Sequence, residues 1–234
     1  MTDPPFLDGL NSKQCEAATY GGRSLLILAG AGSGKTRVIT TRIAWLIARG
    51  TAISEILAVT FTNKAAREMH DRVLHLAPDS GGVVIRTFHS FCARFLRRNA
   101  EAAGLDPRFV IYDDDDSVSL LHAAFESVPR RELRNTAHQI SRAKDYLLGP
   151  ESDLSSITLD PEFETRYREY QRRLDAMGNC DFGDLILKSV RLLANDRSVR
   201  ESVQNQFRHV LVDEYQDSYV AQFELLKRLV GANT

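Results

Sequence analysis

The chain has 234 residues, of which 43% are hydrophobic and 26% are charged, and its formal net charge is −1. This composition indicates a globular protein of one large or two ordinary domains, and it excludes binding of nucleic acid through an overall positive charge. Cys15, Cys92 and Cys180 lack metal-ligand spacing and fit a reducing compartment. Because no signal sequence or membrane-length apolar run is present, we expect a cytoplasmic protein with no membrane contact.

The first predicted strand, residues 25–28, leads into the sequence AGAGSGKT and then into a helical pattern. This order is typical of a phosphate-binding loop, where backbone N–H groups and the helix dipole favour polyphosphate. Lys35 supplies charge for the β- and γ-phosphates, and Thr36 supplies a hydroxyl for Mg²⁺. The predicted nucleoside triphosphate site consists of Ala29, Gly30, Ala31, Gly32, Ser33, Gly34, Lys35 and Thr36.

Strand and helix patterns alternate after this loop. A helix that stops near Gly50 is followed by a strand at 56–60, a helix at 65–76 and a strand at 83–86. Alternation of this kind predicts an α/β fold with a parallel sheet.

From about residue 87 the pattern becomes helical. Helices are predicted at 117–127, 132–147, 162–177, 185–194 and 199–207. Four aspartates at 113–116 precede the first of these helices. We interpret them as an N-cap and as charges that favour the helix dipole, and not as metal ligands.

The last strand pattern, residues 210–212, ends in Asp213 and Glu214. A parallel strand delivers such carboxylates to the edge of the sheet where ligands bind. Asp213 is predicted to hold Mg²⁺, directly or through water, and Glu214 to act as the general base for an attacking water.

Lys35 and Asp213 are 178 positions apart in the sequence. A compact mononucleotide-binding fold needs only a few strand and helix units over this distance. We therefore predict a mostly helical inserted subdomain at 90–204, within a domain formed by residues 1–89 and 205–234.

Six short sequences, in order and approximate spacing, resemble the UvrD/Rep/PcrA-like superfamily-one DNA helicases. They are LNSKQCEA at 10–17, AGAGSGKT at 29–36, VTFTNKAAREM at 59–69, TFHSFCARFLR at 87–97, DFGDL at 181–185 and DEYQDS at 213–218. The resemblance implies a RecA-like P-loop NTPase domain, called 1A, interrupted by a helical subdomain 1B. It also implies an ATP hydrolase and DNA helicase that uses ATP and Mg²⁺ and unwinds duplex DNA 3′ to 5′ in DNA repair or replication.

The same resemblance implies roles for individual residues. Gln14 corresponds to a glutamine that reads adenine, Arg37 to a residue near the base and sugar, and Gln216 to a residue that links the γ-phosphate to the DNA-facing motifs. Phe61 is implied to stack on a base of single-stranded DNA. The polar side chains implied to meet the DNA backbone are Thr62, Asn63, Lys64, Thr87, His89 and Ser90. Asp181 and Phe182, in the DFGDL sequence, are interpreted as partly structural.

The expected partners are single-stranded DNA, duplex junctions and accessory repair or replication proteins. The family carries a second RecA-like lobe that is missing from these 234 residues, so we expect them to be nearly inactive alone. Two alternatives remain: a nucleotide-dependent DNA-binding or regulatory module that does not unwind DNA, and an AddA/RecB-like recombination helicase subunit. A small-molecule kinase is disfavoured because the sequences at 59–69 and 87–97 have no role in one.

Overall fold

The structure is a computed structural model that describes residues 4–30, 32–217 and 219–231. Ala31 of the phosphate loop and Ser218 of the DEYQDS sequence lie outside the described residues. The helices and strands in chain order are α1 (Ser12–Thr19), α2 (Lys35–Ala48), β1 (Ile56–Thr60), α3 (Asn63–Leu76), β2 (Val84–Thr87), α4 (Phe88–Arg98), α5 (Ala100–Ala103), β3 (Ile111–Tyr112), α6 (Asp114–Ala124), α7 (Arg130–Asp145), α8 (Phe163–Ala176), β4 (Cys180–Asp181), α9 (Phe182–Asn195), α10 (Arg197–Gln206), β5 (His209–Val212) and α11 (Val220–Leu229). Short 3₁₀ helices lie at Pro5–Leu7, Ile53–Glu55, Pro78–Ser80 and Tyr215–Asp217.

Three strands form a parallel sheet in the order β2-β1-β5. Val59 of β1 is opposite Arg86 on one side and Val212 on the other. Every residue of the central strand β1 is buried, as expected for a parallel strand with neighbours on both sides. The predicted α/β fold with a parallel sheet is confirmed.

The helices α2 and α3 pack on this sheet through apolar side chains. Gly50 has a φ of +90° and its N–H donates to Ile47 O over 2.9 Å, so it ends α2 as predicted. The core beneath the helices consists of Ile43, Leu46, Ile56, Ala58, Met69, Val73 and Val83. This packing holds the first residues of α2 at the carboxyl end of the strands.

The predicted strand at 25–28 is wrong. The structure has no strand there, and Leu26 and Leu28 are 64% and 85% exposed. An extended segment becomes part of a sheet only when a neighbour pairs its N–H and C=O groups. The two sides of β1 are taken by β2 and β5, and no described strand pairs with the outer side of β5. The apolar side chains at 25–28 therefore have no sheet to join.

The described residues divide into two compact units. One includes those within 1–88, 201–217 and 229–234, and the other includes those within 89–200 and 218–228. The predicted division had placed residues 218–228 in the first domain, and it stays a prediction. No helix among residues 4–30, 32–217 and 219–231 is both long enough and apolar enough to cross a membrane.

The second unit is mostly helical, as predicted. Its core is formed by side chains of α6, α7, α8 and the loop before α8: Leu121, Leu133, Ile140, Ala143, Leu154, Phe163, Tyr167, Tyr170 and Leu174. Asp113 and Asp116 form a capping box at the start of α6, which confirms the N-cap interpretation. The two-residue strands β3 and β4 pair in parallel. They were not predicted because two residues are too short to show a periodicity.

Candidate nucleotide and single-strand site

The phosphate loop turns directly into α2. Gly32 and Gly34 have φ values of +73° and +89°, a region that glycine adopts without steric cost. The ammonium of Lys35 donates to Ala29 O over 3.1 Å and to Gly30 O over 3.2 Å. The first turn of α2 contains no acidic residue, so the positive end of its dipole is not neutralised locally. This arrangement favours an anion at the loop.

Thr36 and Asp213, which are far apart in sequence, meet in space. The Thr36 hydroxyl donates to Oδ2 of Asp213 over 3.1 Å. Asp213 is held there because its N–H donates to Val59 O over 3.0 Å, which continues the pairing of β5 with β1. Burial raises the pKa of Asp213, while the Thr36 hydroxyl acts in the opposite direction.

The Thr36 hydroxyl and the Asp213 carboxylate are the hard oxygen donors that Mg²⁺ prefers, so the two residues fit this ion. Within the described ranges, no group of three or more His, Cys, Asp or Glu side chains is arranged to hold a metal. Two protein oxygens suit an ion that keeps several waters and binds phosphate oxygens.

Glu214 lies beside this pair in an unusual backbone conformation. Its φ is +54°, and its N–H donates to Oδ1 of Asp213 over 3.1 Å. A non-glycine residue in this region costs free energy, and such residues cluster at functional sites. The Gln216 amide donates to the half-buried Glu214 carboxylate. The structure thus brings Glu214 and Gln216 into contact, while their catalytic roles stay predictions.

Gln14 connects α1 to the phosphate loop. Its side-chain oxygen accepts from Asn11 N over 3.0 Å, and its Nε2 donates to Ser33 O over 2.9 Å. The Gln14 N–H in turn donates to Oδ1 of Asn11, which caps α1. Both ends of the Gln14 amide are therefore engaged with protein groups. Sequence reasoning missed this loop-bracing contact, and its role in reading adenine stays a prediction.

The guanidinium of Arg37 lies against Gly9, where a Cβ would collide with it. A cavity of about 470 Å³ lies beside it. The other residues that line the cavity are Phe6, Thr40, Thr41, Asp71, Arg72, His75 and Leu76.

The predicted DNA contacts of the first unit lie directly after β1 and at the last residue of β2. The half-exposed ring of Phe61 lies 5.3 Å from that of Phe88, so Phe61 contributes to packing and also reaches solvent. The Thr62 hydroxyl accepts from Ala65 N over 3.1 Å and caps α3. Asn63 and Lys64 are exposed in the first turn of α3, whereas Thr87 is buried.

The predicted DNA contacts of the second unit lie at the start of α4. His89 and Ser90 are half-buried, and burial lowers the pKa of His89. The His89 ring meets the ring of Phe182 edge-on at 5.7 Å. Phe182 is 49% exposed although it is a large apolar residue. Phe182 directly follows the α9 cap Asp181, and its interpretation as partly structural stays a prediction.

The fold and the site define the class of protein as a P-loop α/β domain, here with a helical insert. Its features are a parallel sheet, a phosphate loop that starts a helix, and an Asp-Glu pair at the end of the strand β5. Residues 10–234 match the UvrD/REP helicase N-terminal domain, and the chain belongs to this family.

Several curated proteins are similar over nearly the whole chain. "ATP-dependent DNA helicase UvrD1" of Mycobacterium leprae is 46% identical over 97% of this chain. The helicase of the same name in Mycobacterium tuberculosis is 45% identical over 98% of the chain, and "ATP-dependent DNA helicase PcrA" of Bacillus subtilis is 41% identical over 96% of it. The chain spans 31% of the length of each of these relatives.

Proposed function

We propose that the chain binds ATP with Mg²⁺ and supplies the ATPase and single-strand contacts of a DNA helicase that moves 3′ to 5′ and separates duplex DNA at junctions. The observation that carries the proposal is the contact between Thr36 and Asp213. Their oxygens lie 3.1 Å apart, next to Lys35 at the start of α2. Membership of the helicase family supports ATP and DNA as the ligands.

The nucleotide chemistry follows from the residues around this contact. Lys35 and the loop N–H groups would bind the phosphates, and Thr36 and Asp213 would hold the ion. When bound, Mg²⁺ neutralises charge on the β- and γ-phosphate oxygens. Glu214 would take the proton of the attacking water. Gln216, in contact with the Glu214 carboxylate, would connect the state of the γ-phosphate to the rest of the domain.

Each unit offers an aromatic side chain for single-stranded DNA. Phe61 is half-exposed directly after β1, close to the exposed Lys64. Phe182 and His89 form a second aromatic pair. Rings of this kind stack on bases of any sequence, and nearby polar groups meet phosphates.

Hydrolysis needs positive charge on the far side of the γ-phosphate. We propose that a second RecA-like lobe, in the same polypeptide or in another, supplies this charge and closes on ATP. Closing and reopening of the two lobes would then move the strand.

The test is the ATPase rate of the protein at its full natural length, with and without single-stranded oligonucleotide, together with a strand-displacement assay. We expect DNA to stimulate hydrolysis and ATP to drive displacement. Binding of both ligands without displacement would instead indicate a regulatory module. Absence of ATP binding would reject the proposal.

A further inference from the structure

Lys144, near the end of α7, is completely buried between two carboxylates. Its Nζ lies 2.6 Å from Oδ2 of Asp181 and 2.9 Å from Oδ1 of Asp184. The hydroxyl of Tyr170, on α8, also donates to Oδ2 of Asp181 over 2.9 Å. We call these four residues the Lys144 cluster. It ties the end of α7 and the middle of α8 to the start of α9.

The cluster fixes the backbone on both sides of one residue, Phe182. Asp181 precedes it, and Oδ1 of Asp181 accepts from Asp184 N over 2.7 Å to cap α9. Gly183 follows it, and a Cβ at this position would lie 2.8 Å from Cβ of Lys144. Since both neighbours of Phe182 are held against Lys144, the direction of its ring depends on that lysine.

Burial alone does not orient Phe182, because half of the residue is in solvent. Stability alone does not account for the cluster either. A buried ion pair costs desolvation, and apolar residues of similar volume often replace one without loss of stability. What an ion pair with directed hydrogen bonds adds is a defined geometry.

We infer that Lys144 is a positioning residue for single-strand binding, which holds Phe182 against His89 so that the pair receives a base. The inference rests on the proposed DNA-binding function. Lys144 has no exposed surface, so it contacts no phosphate itself. Its removal therefore changes the affinity for DNA but leaves the number of phosphate contacts unchanged.

The test uses a neutral variant that combines Lys144→Met, Asp181→Asn and Asp184→Asn, because Lys144→Met alone would leave two buried carboxylates without their cation. The neutral variant leaves no buried charge unpaired in the cluster, and Asn at 181 still caps α9. We expect it to fold, to bind ATP normally and to lose about 5- to 150-fold in single-strand affinity, the effect of one lost stacking contact. The slope of log K against log[salt] should not change.

A double-mutant cycle separates positioning from general destabilisation. The loss caused by neutralising the cluster should vanish in a Phe182→Ala background and persist in full in a Phe61→Ala background, because Phe61 lies in the other unit. Arg172→Met is the matched control. It removes an exposed cation of α8 that pairs with Glu169 outside the cluster, and it should stay within about twofold of the unsubstituted protein.

Equal losses in both backgrounds, or a neutral variant that does not fold, would overturn the positioning role. If Phe182→Ala binds DNA normally while Phe61→Ala does not, the inference is wrong and the proposed function stands. If the unsubstituted protein binds no single-stranded DNA, both are wrong.

Discussion

Lys35 and Glu214 lie in the same site but are expected to act at different stages. Lys35 donates to loop carbonyls at the proposed phosphate site, whereas Glu214 is next to Asp213, the proposed ligand of the ion, and has a strained φ of +54°. Charge at the loop affects binding, and a general base affects only the chemical step.

We predict that Lys35→Ala weakens ATP binding, while Glu214→Gln in the full-length enzyme retains ATP and fails to turn it over. Nucleotide titration and single-turnover hydrolysis measure the two effects. Glu16→Gln is a suitable control because Glu16 is exposed and pairs with Lys13. Normal turnover by Glu214→Gln would remove Glu214 as the base.

Phe61 and Lys64 are expected to contribute to DNA affinity in different ways. Phe61→Ala should cost about 1 to 3 kcal/mol in single-strand affinity, because one base loses its stacking partner, with little change in ATP binding. Equilibrium titration with a labelled oligonucleotide measures the loss. A variant that is less stable to unfolding yet binds DNA normally would show that Phe61 serves only as packing against Phe88.

Lys64→Ala should reduce the slope of log K against log[salt] by about 0.7, since one phosphate contact to a single strand is lost. Lys13→Ala is the matched control. Both lysines are exposed and have a glutamate one turn further along their helix. An equal change of slope in the two variants would mean that Lys64 acts only through overall charge.

At the scale of elements, α6 depends on its cap. Oδ1 of Asp113 accepts from Asp116 N over 2.9 Å, and Oδ2 of Asp116 accepts from Asp113 N over 3.2 Å. We predict that Asp113→Ala lowers the free energy of unfolding by about 1 kcal/mol, because the N–H of Asp116 at the helix start loses its partner. Urea denaturation should give a smaller loss for Asp114→Ala, which acts only on the helix dipole.

The Lys144 cluster should make stability fall at high pH. Burial alone would lower the pKa of Lys144, but the charges of Asp181 and Asp184 outweigh it and raise that pKa well above its ordinary value. Burial also raises the pKa of Tyr170. A group whose pKa is higher in the folded state than in the unfolded state stabilises the fold. This contribution to the free energy of unfolding is complete below the pKa of the unfolded state, and it is lost as the pH rises towards and through the pKa of the folded state.

We therefore predict that the free energy of unfolding falls above about pH 10, by about 1.4 kcal/mol per pH unit for each proton that the folded state retains. The neutral variant lacks the lysine and should show a shallower fall, whereas Lys13→Met should follow the unsubstituted protein. Urea midpoints measured from neutral to alkaline pH would decide this. Identical alkaline profiles for all three proteins would contradict it.

At the scale of the whole molecule, the exposed leucines at 25–28 and the outer side of β5, where no described strand pairs, are the conspicuous features of the first unit. Unpaired strand groups and exposed apolar side chains favour addition of another strand. Under the proposed function, a second lobe would supply the positive charge that efficient hydrolysis needs.

We predict that residues 1–234 alone bind nucleotide weakly and hydrolyse ATP very slowly, even with single-stranded DNA bound. The measurement compares the DNA-stimulated ATPase rate of this polypeptide with that of the protein at its full natural length, with Lys35→Ala as the background control. Comparable rates in the two proteins would show that a second lobe matters less than proposed.

Local patterns in the sequence were sufficient for the elements whose causes are local. The strand at 56–60 was predicted with its observed bounds, and α2, α3 and the α6 cap follow from periodicity, glycine and aspartate positions. The nucleotide loop and the Asp-Glu pair could be recognised because their chemistry needs particular residue types in a fixed order.

The tertiary structure decided what depends on distant partners. Whether residues 25–28 form a strand depends on a neighbour to pair with, which no local pattern encodes. The meeting of Thr36 with Asp213, and of Lys144 with Asp181 and Asp184, joins residues from different elements. The sequence by itself determined the family and the residue types of the candidate site, because both depend on which residues follow one another along the chain. Packing decided which side chains come into contact there.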